Sequence, residues 1–370
     1  MNISLGILAW NEAEVIAVSL RSLFEQSLFQ RLENLDASVQ VVVVPNGCTD
    51  ATAGVAAEAL TRCAAAMSAD RLRWQVCELQ EPGKANAWNQ FVHEFADPGA
   101  DYLFLMDADI RFTHPDTLLN MIRALEQNRD ASVSTDLPQK HVLFKKRKSL
   151  FDHLSLAIGQ MTQAATAQIT GQLYCARGPV LRRIYLPPGL IADDGFIKVM
   201  VCTELLRSPS DDRRVVRAPD ASHVFEAYTR FRDIFFNQRR QQVAHTIYVF
   251  LRDYLSAQTG TRDAGEIVRD NNADDPDWYR KLIRERVAGG GRWVIYPGAF
   301  GIRFRRLKKL PLPQRIRKLP ATLVGFILDA MVLVAANAFL KSGKLKGIWK
   351  DTKTTQLGAA SDGSATDGSF

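Results

Sequence analysis

Two carboxylates one residue apart, Asp107 and Asp109, leave the end of the apolar run Tyr102-Leu103-Phe104-Leu105-Met106. In extended backbone, residues i and i+2 project to the same side, so both acids address one site. Carboxylates that face each other repel unless a cation stands between them, and hard oxygen donors select Mg²⁺ or Mn²⁺. A second acidic pair, Asp193-Asp194, opens a helical pattern over Gly195–Leu206. A helix start favours acids through its dipole, so spacing alone leaves that pair open between structure and chemistry.

The elements that must carry these residues follow from periodicity. Short apolar runs at Ile3–Ala9, Val39–Val44, Leu72–Leu79, Tyr102–Met106 and Ala131–Thr135 predict strands. Between them, three-to-four spacing predicts helices over Asn11–Phe29, Thr49–Met67, Lys84–Phe95 and Pro115–Gln127. Asn11 with Glu14 has the form of a capping box, and Pro115 suits a first helical position. Strands alternating with such helices imply an α/β fold with a mainly parallel sheet. Ligands of these sheets sit at the carboxyl ends of the strands, which here means just after Ala9, Val44, Leu79 and Met106.

Four segments at those ends give a resemblance. Ile7-Leu8-Ala9-Trp10-Asn11-Glu12, Val43-Val44-Pro45-Asn46-Gly47-Cys48-Thr49-Asp50, Pro82-Gly83-Lys84-Ala85-Asn86-Ala87-Trp88-Asn89 and Asp107-Ala108-Asp109 resemble, in order, the opening motifs of family 2 glycosyltransferases. The resemblance spans about residues 1–135 and implies the glycosyltransferase A fold, with one nucleotide-sugar domain and Mg²⁺ or Mn²⁺ at the D-x-D. It also implies roles. Ala9, Trp10, Asn11, Glu12 and Asn46 would line the base and ribose. Lys84 and Asn86 would lie near the nucleotide, and Asp107, Ala108 and Asp109 would hold ribose and the metal–diphosphate. Pro45-Asn46 stands where two acids are common, which leaves UDP only weakly favoured as the nucleotide.

Downstream, Leu186–Phe196 resembles the family's E-D segment with Asp193 in place of Glu. The resemblance makes Asp194 the base that deprotonates an acceptor hydroxyl, Asp193 its neighbour, and Gly171 part of an acceptor-facing strand. His223 would be a third metal ligand beside Asp107 and Asp109. Asn237-Gln238-Arg239-Arg240-Gln241 echoes Q-x-x-R-W without its Trp, so Arg240 would meet the diphosphate while processive polymer synthesis is disfavoured.

The remaining sequence bounds the setting. With 370 residues, 46% hydrophobic and 24% charged, the composition excludes disordered, collagenous and polytopic membrane classes. Five scattered cysteines indicate neither a disulfide framework nor a zinc module. The start carries no signal-peptide pattern. Past residue 140 longer helices are expected at Ser149–Gln168, Gly195–Leu206 and Tyr228–Gln258, with a polar surface loop at Arg262–Asp277. Ile302–Leu319 holds eight basic residues and no acid, before the mainly apolar Pro320–Leu340. Asp329 is costly inside lipid, so residues 302–340 are read as attaching peripherally to an anionic membrane surface. Nucleic acid lacks the aromatic platform it would need.

The expected organisation is a catalytic domain over 1–225 (nucleotide half 1–135, acceptor half 136–225), a helical extension over 226–300, a basic arm with an apolar helix over 301–350, and a disordered tail over 351–370. The expected activity is metal-dependent, inverting transfer of a sugar from a nucleoside diphosphate to a carbohydrate or lipid-linked acceptor hydroxyl. Surface glycoconjugate synthesis at the inner face of the cell membrane is the expected setting. Two rivals stand: a phosphatase of the haloacid dehalogenase type using Asp107 and Asp109, and a non-catalytic nucleotide-binding scaffold at the membrane. The first is disfavoured because its D-x-D usually ends the first strand, whereas this one ends the fourth.

Overall fold

The structure is a computed structural model that describes residues 1–65, 67–145, 168–226, 231–308 and 310–343. The helix expected at Ser149–Gln168 and the tail from 351 lie, almost wholly and wholly, outside the described residues. The chain divides into two compact units, Met1–Ala227 with Gln258–Asp274, and Tyr228–Ala257 with Asp275–Asp351.

The first unit is built on one eight-stranded sheet in the order β3-β2-β1-β4-β7-β6-β8-β5. Its strands are β1 (Asn2–Ala9), β2 (Ser38–Pro45), β3 (Leu72–Val76), β4 (Tyr102–Asp107), β5 (Arg111–Phe112), β6 (Val133–Lys140), β7 (Leu173–Arg177) and β8 (Val215–Phe225). β1 to β4 are mutually parallel. Such strands are covered on both faces and read as continuous apolar runs; Val41 to Val44 are all fully buried. β6 and β8 are also parallel, and β7 runs antiparallel between β4 and β6.

That one reversal positions the site. Met106 pairs with Leu173 across the antiparallel ladder, so the residues entering β7 arrive at the carboxyl end of β4. Asp107 N–H donates to Gln172 O at 2.9 Å, fixing the 171–172 turn beside the D-x-D. β6 and β8 lose register between Thr135 and Leu137. Such an irregularity re-aims a side chain, and the one between them is Asp136.

Several local expectations change. The first helix spans Ile16–Phe24 with no side-chain cap, and a short one follows at Ser27–Gln30. No capping box forms, because Asn11 takes positive φ and its side chain accepts from Thr49 N–H at 2.8 Å. Pro115 precedes its helix, Thr117–Gln127, by two residues. Lys84–Gln90 is α-helical and continues as a π-turn over Phe91–Phe95. The segment expected as a loop at Arg262–Asp277 contains a helix, Ala264–Asp274, with Ala264, Ile267 and Val268 buried. Asp263 and Glu266 exchange reciprocal bonds at its start, so a real capping box sits where polarity alone suggested a loop.

In the second unit, helices Phe231–Ser256, Trp278–Gly289, Ile302–Lys308 and Leu312–Lys341 pack together. On the last, Val332, Leu333, Ala336 and Leu340 are buried. Leu312, Ile316, Leu319, Leu323, Ile327, Met331 and Val334 are exposed, at intervals of three or four that place them on a different face. Arg303 forks onto Asp329 at 2.6 and 3.0 Å. The guanidinium crosses over Gly325, where a Cβ would lie 2.8 Å from Arg303 Cζ.

Among the described residues no single helix is long and apolar enough to cross a membrane. The pair Leu312–Pro320 and Gly325–Lys341, bent by 60°, passes on length and composition alone.

Candidate active site

Every expected strand end contributes to one locality. Ala9 closes β1, buried, with Trp10, Asn11 and Glu12 half-buried after it. That loop is stitched to the loop after β2. Glu12 N–H donates to Thr52 Oγ1 at 2.8 Å and Ala13 N–H to Asp50 Oδ2 at 3.1 Å. Hydrogen bonds from Ala13, Thr52 and its hydroxyl hold the Asp50 carboxyl below the usual range, although burial opposes them.

Asn46 is the buried knot of the nucleotide half. Its Nδ2 donates to Ala9 O at 2.7 Å, and its Oδ1 accepts from Gly83 N–H at 3.0 Å. The carboxyl ends of β1 and β2 are thereby tied to the turn that launches Lys84–Gln90. Asn86 lies half-buried on that helix.

Asp107 and Asp109 are both half-exposed, while Ala108 and Ile110 turn into the core. The strand ends at Asp107, and Ala108 and Asp109 lie in a turn, so the extended backbone that the i, i+2 expectation assumed stops at the first of the two acids. Asp107 is pushed up to about 6, chiefly by burial, against the Lys84 ammonium and with Asp109 and Asp193 adding to the rise. Lys84, the first residue of its helix, places Nζ 2.6 Å from Asp107 Oδ1 and 2.8 Å from Gly171 O, to which it donates. Asp193 Oδ2 is 3.8 Å from the same nitrogen. Asp107, Asp193 and Asp194 hold the ammonium well above its ordinary range, although burial alone would lower it.

Gly171 is small for a reason: a Cβ there would stand 3.2 Å from Lys84 Nζ. Beneath the cluster, buried Trp88 donates Nε1–H to buried Tyr174 Oη at 2.6 Å. Asp193 is buried and Asp194 half-exposed at the start of helix Asp193–Cys202, where Asp194 Oδ1 accepts from Gly195 N–H.

The sequence-derived residues do not all converge. His223 lies fully buried on β8, its Nδ1 2.6 Å from Asp136 Oδ2 and its Nε2 3.3 Å from Gln172 Oε1. Among the described residues no three His, Cys, Asp or Glu side chains are gathered at metal-ligand geometry. The set Asp107, Asp109 and His223 is thus not assembled in this structure. Arg240 belongs to the second unit, where it donates to Asn237 Oδ1 at 3.2 Å.

Sequence reading missed Asp136 and Gln172. Asp136 stands just past the strand expected at Ala131–Thr135, which in the structure runs on to Lys140, so nothing local marked the acid as buried. Gln172 had no signal either, because its role comes from the reversed strand.

The site fits a divalent cation on its donor chemistry. Asp107, Asp109, Asp193 and Asp194 supply hard oxygens, and the one positive charge shown among them is an ammonium standing where a cation belongs.

Residues 4–186 match the family model described as Glycosyl transferase family 2. No curated protein matches the chain. Among solved structures, the mannosyltransferase PcManGT from Pyrobaculum calidifontis, in complex with GDP-Man and Mn²⁺, aligns over 92% of this chain and 86% of its own. That alignment has a TM-score of 0.51 and 19% identity. Glucosyl-3-phosphoglycerate synthase from Mycobacterium tuberculosis, with Mg²⁺ and UDP, aligns over 66% of this chain and 77% of its own, with a TM-score of 0.42 and 16% identity. The first likeness bears on fold: a glycosyltransferase A sheet followed by a helical C-terminal part.

Proposed function

The chain belongs to glycosyl transferase family 2, and we propose that it moves a sugar from a nucleoside diphosphate onto an acceptor hydroxyl with inversion, using Mg²⁺ or Mn²⁺. The observation that carries this reading is the convergence of Lys84, Asp107, Gly171 and Asp193 at one strand end.

Asp107 and Asp109 would hold the cation, with His223 joining them if its side chain leaves Gln172. When bound, that ion supplies charge for the departing diphosphate. The chain's own residues do the rest. Asn46 sets the distance between the loops that flank base and ribose, and Ala9, Trp10, Asn11 and Glu12 form the wall of that slot. Asn86 lies along the same helix as Lys84. Asp194, with Asp193 beside it, accepts the proton of the acceptor hydroxyl as that oxygen attacks the anomeric carbon. Gly171 leaves room on the acceptor side.

The acceptor is read as a carbohydrate or lipid-linked molecule for envelope glycoconjugate synthesis. The enzyme is read as working at the inner face of the membrane through residues 302–340. The exposed apolar residues of Leu312–Lys341, with Arg315, Arg317 and Lys318 among them, support that attachment. The organisation into a catalytic domain over 1–225, a helical extension and a basic arm remains part of this proposal.

A panel of UDP- and GDP-sugars tested by thermal shift, with and without Mn²⁺, examines the reading. One donor should raise Tm by several degrees only with metal present. Asp194→Asn should keep that shift while losing at least about a hundredfold in kcat. Turnover intact in Asp194→Asn, or a shift that ignores metal, would count against the assignment.

A further inference from the structure

The cation of the carboxylate cluster is supplied by the chain itself. Lys84 Nζ is 2.6 Å from Asp107 Oδ1, 2.8 Å from Gly171 O and 3.8 Å from Asp193 Oδ2. An ammonium has three protons, and these three oxygens surround it. Asp194 acts on the same ammonium, so three carboxylates, Asp107, Asp193 and Asp194, bear on one positive charge, while Asp109 acts on Asp107. While the ammonium holds Asp107, no three-ligand metal set is gathered among the described residues.

We propose that Lys84 is an exchangeable internal cation: its ammonium holds Asp107 in the donor-free protein and passes to the donor diphosphate when a divalent ion takes over the carboxylates. The inference rests on the glycosyl-transfer reading, and it goes beyond a lysine that merely touches the nucleotide.

The physical consequence is a coupling. A divalent ion entering alone displaces an ammonium that then has no anion to meet, in a place where its side chain is only 22% exposed. With a diphosphate present, the displaced ammonium gains phosphate oxygens. Lys84 therefore weakens the ion's binding in the absence of nucleotide and strengthens it in its presence. Gly171 permits the exchange, since a Cβ at 3.2 Å would crowd the ammonium's position.

The test measures Mn²⁺ affinity by paramagnetic resonance on the full chain, with Mn²⁺ alone and then with UDP or GDP. Lys84→Met should bind Mn²⁺ alone about tenfold more tightly than the parent, and the enhancement by nucleotide should shrink by more than that factor. Lys84→Arg, which keeps the charge, should stay close to the parent. An unchanged or weaker Mn²⁺ affinity in Lys84→Met overturns the proposal.

A second measurement needs no variant. Acetylation of Lys84, followed by mass spectrometry, should be slow in the metal-free protein, faster with saturating Mn²⁺ alone, and slow again with Mn²⁺ and nucleotide together. Labelling that ignores Mn²⁺ overturns the proposal. Absence of nucleotide binding under every metal condition would instead sink the glycosyl-transfer reading and leave the Mn²⁺-only results standing.

Discussion

His223 Nδ1 lies 2.6 Å from Asp136 Oδ2, with neither side chain exposed to solvent. The remaining Asp136 oxygen, Oδ1, is buried and has no hydrogen-bond partner among the described residues. A pair so deep is costly to break from one side, because the survivor keeps a buried polar group without its partner.

Asp136→Ala should therefore destabilise the first unit by about 3–5 kcal/mol, and Asp136→Ala with His223→Ala should cost less than the sum of the single changes. Urea unfolding followed by fluorescence measures both. A loss under about 1 kcal/mol would mean the pair is not a structural tie. His223→Gln separates the two roles of the imidazole. If His223 is a metal ligand, Mn²⁺ affinity falls at least about tenfold in the folded variant; if the tie to Asp136 is its whole role, only stability moves.

Donor binding should depend on pH through Asp107, whose carboxyl is pushed up to about 6 from its ordinary 3.8. A protonated carboxyl cannot hold a cation. Lys84 stays charged over the whole range, since its neighbours hold it above its ordinary value. Affinity for Mn²⁺ should be full above about pH 7 and fall through pH 6 toward pH 4, as isothermal titration would show. The stability of the cation-free protein runs the other way. A folded-state value above the unfolded one favours folding below 3.8 and loses that contribution as pH rises through 6. Asp107→Asn should flatten this part of the Tm profile, and a variant with the parent's slope would assign the titration elsewhere.

How much of this could be read from sequence depends on whether the signal was local. The strand ends at Asn46 and Asp107 and the helix start at Lys84 were legible because apolar runs and turn residues mark them in the chain itself. The outward setting of Asp107 and Asp109 was expected from strand period, but the structure reaches it through a turn at Ala108 and Asp109. The tie of Lys84 to Gly171 was not legible, since it needs β7 to run against β4, and nothing local fixes the direction of a strand. The same holds for Asp136 and His223, 87 residues apart in sequence. Ala264–Asp274 was misread for another reason: polar residues on its exposed face hid an apolar face formed by Ala264, Ile267 and Val268.

The helix Leu312–Lys341 gives the last prediction. Its exposed apolar residues run from Leu312 to Val334, about 33 Å at 1.5 Å per residue if the helix were straight. Pro320 lies inside it and closes the first of two arms inclined at 60°, in keeping with a ring that lacks an N–H. Arg315, Arg317 and Lys318 are exposed on the first arm, and Asp329 is held by Arg303 on the second. On the proposed reading, such a helix would lie in a lipid interface, drawn by anionic headgroups and retained by its apolar side chains.

The full chain should therefore sediment with vesicles containing phosphatidylserine and not with phosphatidylcholine alone, and 0.5 M salt should release most of it. Ile316→Glu with Leu319→Glu, and separately Arg315→Glu with Arg317→Glu and Lys318→Glu, should each reduce binding at least about tenfold. Asp107→Asn should bind vesicles as the parent does. Equal binding to neutral vesicles that resists salt would instead indicate a spanning segment, and a concentration-dependent dimer lost in Ile316→Glu would assign the exposed face to a second copy of the chain.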